Sequence, residues 1–282
     1  MNRPLRHLML AVALLGVVPA AWAAESYDNC TGFIDSLPAT VSTQGTWCLR
    51  GHRFTSQLSG AAITIGADNI TIDCNDFRLS GLGAGAATEA VGISAGASRH
   101  NAIVRNCRVQ GFKRGVVLFG GGHVVEDNHL DLNTYNGIYV TGDSIARGNV
   151  VTDTGGRPNE VYADGIIAIG PGVQVIDNAI RGVSPAGNVG GDRAGRGIYL
   201  NTGLAQGNRV FGIVASGSHG AAGILLLGKT IARDNLVQAP SGTAGAGISG
   251  AGTDLSLCQD NTVQGFLSGI GTCQLAGANG VQ

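Results

Sequence analysis

The sequence predicts an all-β solenoid, a single parallel β-helix of about eight turns with an N-terminal cap. Three observations predict it: a Gly-Ile or Gly-Val pair that recurs eight times, an Asn that recurs in phase with it, and no sustained apolar pattern of helical period after residue 23. Repeats of 22 to 32 residues cannot bury an apolar face alone, so each turn must pack against its neighbours.

The Gly pair marks one strand in every turn. Side chains alternate along a strand, so the Ile or Val should face the core and the residues beside the pair should face outward. The remaining residues of a turn form short strands separated by bends. The eight pairs are Gly92-Ile93, Gly115-Val116, Gly137-Ile138, Gly165-Ile166, Gly197-Ile198, Gly223-Ile224, Gly247-Ile248 and Gly269-Ile270.

The Asn column predicts a sharp bend between two strands of each turn. Asn tolerates left-handed backbone geometry and bonds to nearby backbone, so stacked Asn amides are expected inside the bends. Cys107 takes the same place in one turn. The column consists of Asn75, Asn128, Asn149, Asn178, Asn208, Asn235 and Asn261.

This repeat pattern resembles that of a known protein superfamily. The segment Asn69-Ile-Thr-Ile-Asp-Cys-Asn-Asp-Phe77 is similar to the opening rung of right-handed β-helix repeat proteins, and residues 60–275 resemble the pectate-lyase-like superfamily. The resemblance implies a right-handed parallel β-helix. It implies no single activity, because this fold hosts lyases, hydrolases, epimerases, adhesins and inert stalks.

The domain organisation is simple. Residues 1–23 have a basic start, a short apolar run and an Ala-Trp-Ala end, which predicts a secretory signal peptide and a secreted or periplasmic protein. We expect a cap over residues 24–60, the β-helix over 61–275 and a loose tail over 276–282. No later stretch is apolar enough to span a bilayer. Oligomeric state stays open.

Charge and cysteine content narrow the class further. The net charge is −1, and −3 without Arg3 and Arg6 of the signal, which argues against a nucleic-acid partner. Six cysteines in an exported chain favour disulfides over metal binding, although fifteen pairings are possible. Position along the chain favours three pairs, namely Cys30–Cys48, Cys74–Cys107 and Cys258–Cys273.

A candidate site follows from the columns. Equivalent residues in successive turns lie about 4.8 Å apart. The residues just before the central Gly pairs are polar, and the residues after two of the Ile positions are tyrosines. This predicts a row of Arg114, Asn136, Asp164 and Arg196, flanked by Tyr139 and Tyr199.

Two insertions, residues 153–163 and 183–195, precede neighbouring Gly-Ile strands and should wall a groove over this row. Aromatic faces beside charged groups suit sugar rings. The predicted catalytic residues are Asp164, Arg196 and Tyr199. The alternative to a functional site is that Asp164 and Arg196 form a structural ion pair and the two loops have no function. The predicted substrate-binding residues are Arg114, Asn136, Tyr139, Arg157, Glu160, Tyr162 and Arg193.

Each activity found in the superfamily requires particular residues. Calcium needs several converging carboxylates; Asp164 and Glu160 could contribute, but no second Asp flanks Asp164, so we expect no cofactor. Tyr162-Ala-Asp-Gly165 is similar to the Asn-Thr-Asp-Gly motif of polygalacturonases but lacks the later Asp pair, which argues against hydrolysis. The histidines show no ligand spacing, so no metal site is expected.

Metal-free lyases and epimerases of the superfamily use a cation to neutralise a uronate carboxylate and a side chain such as Tyr to move a proton. Arg196 and Arg114, with Tyr139 and Tyr199, are of the required types. We therefore expect an exported protein that binds a polysaccharide, with an acidic polymer favoured, and lyase or C5-epimerase chemistry as one interpretation. The alternative is a non-catalytic surface, adhesion or structural protein whose outward Val and Leu residues form a flat face.

Overall fold

The computed structural model describes residues 27–188, 190–251 and 256–282. The predicted signal peptide lies outside these residues. Within them are 28 strands, no α-helix, one 3-10 helix (Leu82–Ala84) and no helix long and apolar enough to cross a membrane. The strands in chain order are β1 (Gly32–Phe33), β2 (Ala39–Val41), β3 (Gly45–Cys48), β4 (Arg53–Phe54), β5 (Ala61–Ile65), β6 (Ile70–Asp73), β7 (Arg78–Ser80), β8 (Val91–His100), β9 (Ile103–Arg105), β10 (Arg108–Gln110), β11 (Arg114–Gly121), β12 (Val124–Glu126), β13 (His129–Asp131), β14 (Asn136–Thr141), β15 (Ile145–Arg147), β16 (Val150–Thr152), β17 (Tyr162–Ile176), β18 (Ala179–Arg181), β19 (Arg193–Gln206), β20 (Arg209–Phe211), β21 (Ala215–Ser216), β22 (Ala221–Leu227), β23 (Ile231–Arg233), β24 (Leu236–Ala251), β25 (Ser256–Gln259), β26 (Thr262–Gly271), β27 (Cys273–Ala276) and β28 (Gly280–Val281).

The strands form three parallel stacks, and the chain visits each stack once per turn. The first stack holds the Gly-Ile strands, from β8 through β11 and β14 to the later parts of β24 and β26. The second stack runs from β1 through β9, β12 and β15 to β27. The third runs from β4 through β7, β10, β13 and β16 to β28. Among the described strands, only β21 pairs antiparallel, with the start of β19.

The register of the first stack confirms the Gly-Ile prediction. Ile138 pairs with Val116 on one side and Ile166 on the other, and all three are fully buried. The glycine is required by close approach: a Cβ at Gly137 would lie 2.6 Å from the Gly165 carbonyl oxygen and 2.6 Å from a Val151 methyl. The chain therefore needs glycine wherever the first strand passes over the side chains of the third.

The Asn column is a continuous ladder of buried amides. In Asn178, Nδ2 donates to the Asn208 side-chain oxygen and to the Ala146 carbonyl, and Oδ1 accepts from the backbone N–H and Nδ2 of Asn149. The same pattern joins Asn128 through Asn261 to Asn279, in the last described turn. Each bend thus satisfies buried backbone groups with one side chain.

Two details of the Asn prediction are wrong. From Asn128 to Asn261 the left-handed residue is the one before each Asn, such as Asp127 (φ 53°) or Gly148 (φ 64°), whereas Asn75 is itself left-handed (φ 46°). Asn75 stands outside the ladder. Because Arg78 pairs with Arg108, the equivalent of Cys107 is Phe77, two residues further on. Asn75 instead donates to the Leu49 carbonyl from its own tight turn.

The β-helix continues at both ends beyond the eight turns that carry the Gly pairs. Ile63 pairs with Ile93, and Ala39 with Ile63, so the region expected as a cap contributes strands to the same stacks. At the other end, Asn279 and β28 continue the ladder and the third stack. The three predicted disulfides are present, and the Cα atoms of Cys74 and Cys107 lie 4.7 Å apart on successive turns.

His123 is a fully buried histidine in the bend between β11 and β12. Its Nδ1 accepts the backbone N–H of Ala102, and its Nε2 lies 3.0 Å from the Phe119 carbonyl oxygen. This pattern needs a neutral ring protonated on Nε2. Burial lowers the pKa of His123, because the charged form of the ring would lose its hydration.

Candidate functional site

The predicted polar row exists and is hydrogen-bonded along its length. Arg114 pairs in register with Asn136, Asn136 with Asp164, and Asp164 with Arg196. Arg114 Nε donates to Asn136 Oδ1 at 3.0 Å, and Asn136 Nδ2 donates to Asp164 Oδ2 at 3.1 Å. Arg196 then donates from Nε to Asp164 Oδ1 at 2.5 Å and from Nη2 to Oδ2 at 2.9 Å. Two cations therefore end a row whose only anion is central.

Asp164 is completely buried, and both of its oxygens are occupied by Arg196 and Asn136. Burial raises the pKa of Asp164, while Arg196 and Asn136 act in the opposite direction. The forked contact with a guanidinium is the geometry of a strong charge-assisted pair. In this structure the carboxylate holds Arg196 in place and presents no free oxygen to solvent.

Arg196 lies between two aromatic rings. Its Cζ is 4.6 Å from the ring centre of Tyr162 and 5.0 Å from that of Tyr199. The first ring belongs to the first residue of β17, and the second lies on the same strand as the arginine, β19. Cation–π contacts of this kind fix the plane of the guanidinium. Tyr162 is 38% exposed, so part of this side chain remains open to solvent.

A second aromatic–cation group involves Tyr135, which the sequence analysis did not select. The Arg114 guanidinium lies 5.3 Å and the Lys113 ammonium 5.7 Å from its ring centre. Burial, together with the charges of Asp164 and Glu160, raises the pKa of Tyr135. The hydroxyl is therefore protonated at neutral pH. Tyr139 and Tyr199 lie two turns apart in register, each pairing with Ile167.

The loop of residues 153–163, here called the first long loop, is tied down by Arg157. The guanidinium donates to the Thr88 carbonyl oxygen at 2.6 Å and to the Glu89 carboxylate, and it also meets Glu160 at 3.4 Å. Lys113 binds the same Glu89 carboxylate. These contacts anchor the loop beside the row, and they occupy two of the predicted substrate-binding residues, Arg157 and Glu160.

The loop of residues 183–195, the second long loop, is ordered around Asp192. This carboxylate accepts from the backbone N–H and the hydroxyl of Ser218 and from Asn188, which lowers the pKa of Asp192 to about 2. The His219 ring lies 3.7 Å from Asp192 at Nδ1 and packs edge-on against Tyr162. The sequence pattern of the histidines did not indicate a role for His219.

Arg193 also belongs to the predicted set and sits at the start of β19. Its Nε is buried and finds no hydrogen-bond partner among the described residues. The aliphatic part of the side chain lies near Gly187 of the second long loop. The structure therefore brings the predicted residues to one face, with Arg157 and Glu160 engaged in holding the first long loop.

Comparisons with known proteins agree with this architecture. The family described as the right-handed β-helix region matches residues 39–180, just over half of the chain. The chain belongs to the right-handed β-helix family. A comparison with curated protein sequences finds no match.

Solved structures similar to this right-handed β-helix protein are distant in sequence. The tailspike protein of E. coli bacteriophage HK620, in complex with a pentasaccharide, has 11% identity and a TM-score of 0.54 over 90% of this chain, which spans 59% of the tailspike chain. An alginate lyase from Paenibacillus sp. str. FPU-7 has 12% identity and a TM-score of 0.41, covering 84% of this chain and 99% of its own. Endopolygalacturonase I from Stereum purpureum, complexed with two galacturonate, has 12% identity and a TM-score of 0.42, covering 86% and 69%.

The outward column of this β-helix alternates aliphatic with aromatic residues at successive turns. Val117 is only 4% exposed and Ile167 only 9%. Their neighbours in register are Tyr139 and Tyr199, and Tyr139 packs edge-on against Phe119. Val117 and Ile167 are therefore largely shielded from solvent, whereas Leu225, which pairs with Tyr199, is partly exposed.

The described residues contain no group of three or more His, Cys, Asp or Glu side chains placed to hold a metal ion. Asp164, the carboxylate considered for calcium, has both oxygens engaged by Arg196 and Asn136. The chemistry that the face offers directly is that of two arginines and several tyrosines.

Proposed function

We propose that the protein binds an acidic polysaccharide along the face formed by Arg114, Asn136, Asp164 and Arg196. The observation that carries the proposal is Arg196, fixed by a buried carboxylate and held between two tyrosine rings. Such preorganisation lowers the entropic cost of binding a ligand carboxylate.

The free part of Arg196 suits this role. Nε and Nη2 bind Asp164, and Nη1 makes no hydrogen bond to the described residues. The side chain is 18% exposed, so one edge of the guanidinium reaches solvent. A uronate carboxylate could bind there while a neighbouring sugar ring packs on Tyr162. Tyrosine suits such a contact because its ring is apolar and its hydroxyl can hydrogen-bond.

The balance of charge on this face also supports an acidic ligand. Five cations lie on or beside the row, against the carboxylates of Asp164, Glu89, Glu160 and Asp192. The excess is one positive charge, in a chain whose overall charge is negative. The tailspike of similar fold, with its bound pentasaccharide, supports the use of such a scaffold for glycans. The five cations are Lys113, Arg114, Arg157, Arg193 and Arg196.

A finer proposal is lyase or C5-epimerase chemistry on a uronate. Both reactions begin with loss of the C5 proton to a base, and neutralisation of the adjacent carboxylate by Arg196 would make that proton more acidic. In a lyase the C4–O bond then breaks, a C4–C5 double bond forms and the departing glycosidic oxygen takes up a proton. In an epimerase C5 instead takes up a proton on its opposite face. Tyr199, stacked on the same guanidinium, is the side chain proposed to carry the proton. Asp164 would act by holding Arg196.

The binding proposal is tested by affinity electrophoresis through gels containing polygalacturonate, alginate or hyaluronan, with dextran as the neutral polymer. We expect retardation by at least one acidic polymer, weakened by salt because exposed charges are screened. Tyr162→Ala should weaken it roughly tenfold, about 1.4 kcal/mol, as for loss of an aromatic contact at the centre of an interface. Arg147→Gln, which removes a cation in the second stack, is the control.

The same polymers test the chemistry. Lyase activity would produce unsaturated uronate ends, detected by ultraviolet absorbance, and epimerase activity would change the uronate composition seen by NMR. Binding without either product supports the binding function and removes the catalytic proposal. Retardation by none of the acidic polymers removes both and favours a non-catalytic surface protein.

A further inference from the structure

The polar row has a guanidinium group at each end and a closed floor between them. Arg114 and Arg196 are three strand spacings apart in register, which is about 14 Å. The two positions between them are Asn136, which is 1% exposed, and Asp164, which is not exposed at all. A ligand lying on the row therefore meets charged groups at its two ends and none in the middle.

Each of the two arginines has hydrogen-bond donors left for a ligand. In Arg114 only Nε is bound, to Asn136, so its two terminal nitrogens have no partner among the described residues. In Arg196 the nitrogen without such a partner is Nη1. Each guanidinium also lies against a tyrosine ring, that of Tyr135 at 5.3 Å and that of Tyr162 at 4.6 Å. The two ends of the row thus present the same combination of a held guanidinium and free N–H groups.

The other cations of this face have different positions or partners. Lys113 and Arg157 both bind the carboxylate of Glu89. Arg193 begins β19, three residues before Arg196 along the same strand, and therefore lies to one side of the row. The row itself offers two sites for a ligand carboxylate, and the distance between these two sites is fixed by the β-helix.

This distance can be expressed in sugar residues. A 1,4-linked pyranose residue advances a polysaccharide by about the spacing of neighbouring strands, so a chain lying along the row places about one residue on each turn. Arg114 and Arg196 would then contact residues n and n+3. In a chain with threefold screw symmetry these two residues face the same side, whereas in a twofold chain they face opposite sides. The spacing therefore fits a threefold chain.

We propose that the row recognises two uronate carboxylates three residues apart in a 1,4-linked chain of threefold symmetry. The shortest ligand that reaches both arginines is a tetrasaccharide. Its two inner residues lie over Asn136 and Asp164, which offer no free donor, so they need not be acidic. The ligand class thus includes heteropolysaccharides with one uronate in every three residues. This inference rests on the acidic polysaccharide binding proposed above and adds the required spacing of charge.

The spacing is tested first by ligand length, with di-, tri-, tetra- and hexagalacturonate in isothermal titration calorimetry. We expect the association constant to rise about tenfold or more between the trimer and the tetramer, because only the tetramer can engage the second arginine within the same complex. The other steps should be smaller. A gradual rise without this step overturns the spacing but leaves acidic binding in place. Binding of none of these oligomers overturns the spacing, and the gel assay then decides whether the row binds any acidic polymer.

Two partly esterified tetragalacturonates of equal charge test which carboxylates are recognised. One carries methyl esters on its two inner residues and the other on its two terminal residues. We expect the first to bind within about twofold of the free tetramer, and the second to bind no better than the trimer, about tenfold more weakly. Equal affinities of the two esters would contradict the proposal.

A variant links the fourth residue to one side chain. Arg114→Gln removes the free donors at one end and leaves the buried pair of Asp164 and Arg196 intact. Its affinity for the tetramer should fall about tenfold, to that of the trimer, while its affinity for the trimer should change by less than about twofold. Arg147→Gln, in the second stack, is the control and should change neither. Equal losses for trimer and tetramer in Arg114→Gln would show that Arg114 supports the site as a whole and would contradict the proposed spacing.

Discussion

Replacing Arg196 by methionine probes the buried ion pair at the centre of the row. Methionine keeps much of the length and apolar volume of arginine but removes the charge and all hydrogen-bond donors. Asp164, with no exposed side-chain surface, would keep only the amide of Asn136 as a partner. We expect Arg196→Met to be strongly destabilising at neutral pH.

The magnitude follows from the burial of the two partners. Removing one partner of a fully buried ion pair costs about 3–5 kcal/mol. Arg196 is 18% exposed, so solvent screens part of the attraction, and the lower value of about 3 kcal/mol applies. For a chain of this size that corresponds to a fall in melting temperature of roughly 6–12 °C.

The pH dependence has a definite sign. Without Arg196, burial holds the folded-state pKa of Asp164 above its ordinary value of 3.8. A carboxyl with a raised folded pKa stabilises the fold at pH values below its unfolded pKa, and this contribution is lost as the pH rises through the folded pKa. The destabilisation of Arg196→Met should therefore be large at neutral pH and diminish on acidification.

Melting temperatures by circular dichroism, measured from neutral pH down to about pH 4, provide the assay. The double variant Asp164→Asn with Arg196→Met is the essential comparison, because it removes both charges and leaves none buried alone. It should recover most of the lost stability. A fall of less than about 2 °C in the single variant, or a double variant no more stable than the single, would refute the view that the pair is buried and mutually dependent.

Three other predictions concern the scaffold. Asn178→Ala removes a ladder amide that makes five hydrogen bonds and should cost about 3 kcal/mol or more in urea denaturation. Asn279→Ala, in the last described turn, should cost less, and equal losses would argue against the ladder. The lowered pKa of His123 means that its stabilising contribution is present above its ordinary pKa of 6.5 and lost below it. Wild type should therefore lose more stability than His123→Gln between about pH 7 and pH 5, and parallel pH profiles would contradict this. Replacing Cys74 and Cys107 together by alanine should lower the free energy of unfolding by about 2–4 kcal/mol, and a melting temperature unchanged from that of wild type would show that the buried disulfide has no such role.

The register of the first stack could be predicted because its cause is local. From β8 to β26 a glycine is needed where the first strand passes close to the third, and the Ile or Val after it fills the core, so both recur in these eight turns. That register places Arg114, Asn136, Asp164 and Arg196 in one row, and the hydrogen bonds between them follow from about 4.8 Å of separation.

The Asn column shows where such reasoning fails. Asn75 precedes an apolar residue at the expected offset, but the tight turn after β6 shifts the register by two residues, so Phe77 occupies the position that Cys107 takes in the next turn. A sequence pattern does not record the length of a bend. The left-handed conformation of the residue before each Asn from Asn128 to Asn261 was equally hidden, although Asp and Gly recur there.

Features built by the loops could not be predicted at all. His219, in the connection between β21 and β22, lies 57 positions after Tyr162 of β17, and the two rings meet only in the folded chain. The exposure of Leu82 and Leu132 and the unpaired hydroxyl of Thr134 likewise depend on how turns of different length stack. The anchoring of Arg157 on Glu89 joins residues 68 positions apart, beyond any periodic pattern.

The most direct test of acidic polysaccharide binding is a crystal structure with a bound hexagalacturonate, or with the acidic oligosaccharide that binds best in the gel assay. We expect a uronate carboxylate within hydrogen-bond distance of Arg196, a sugar ring against Tyr162, and the Asp164–Arg196 contact unchanged. An oligosaccharide bound elsewhere on the molecule, with Arg196 and Tyr162 untouched, would contradict the account.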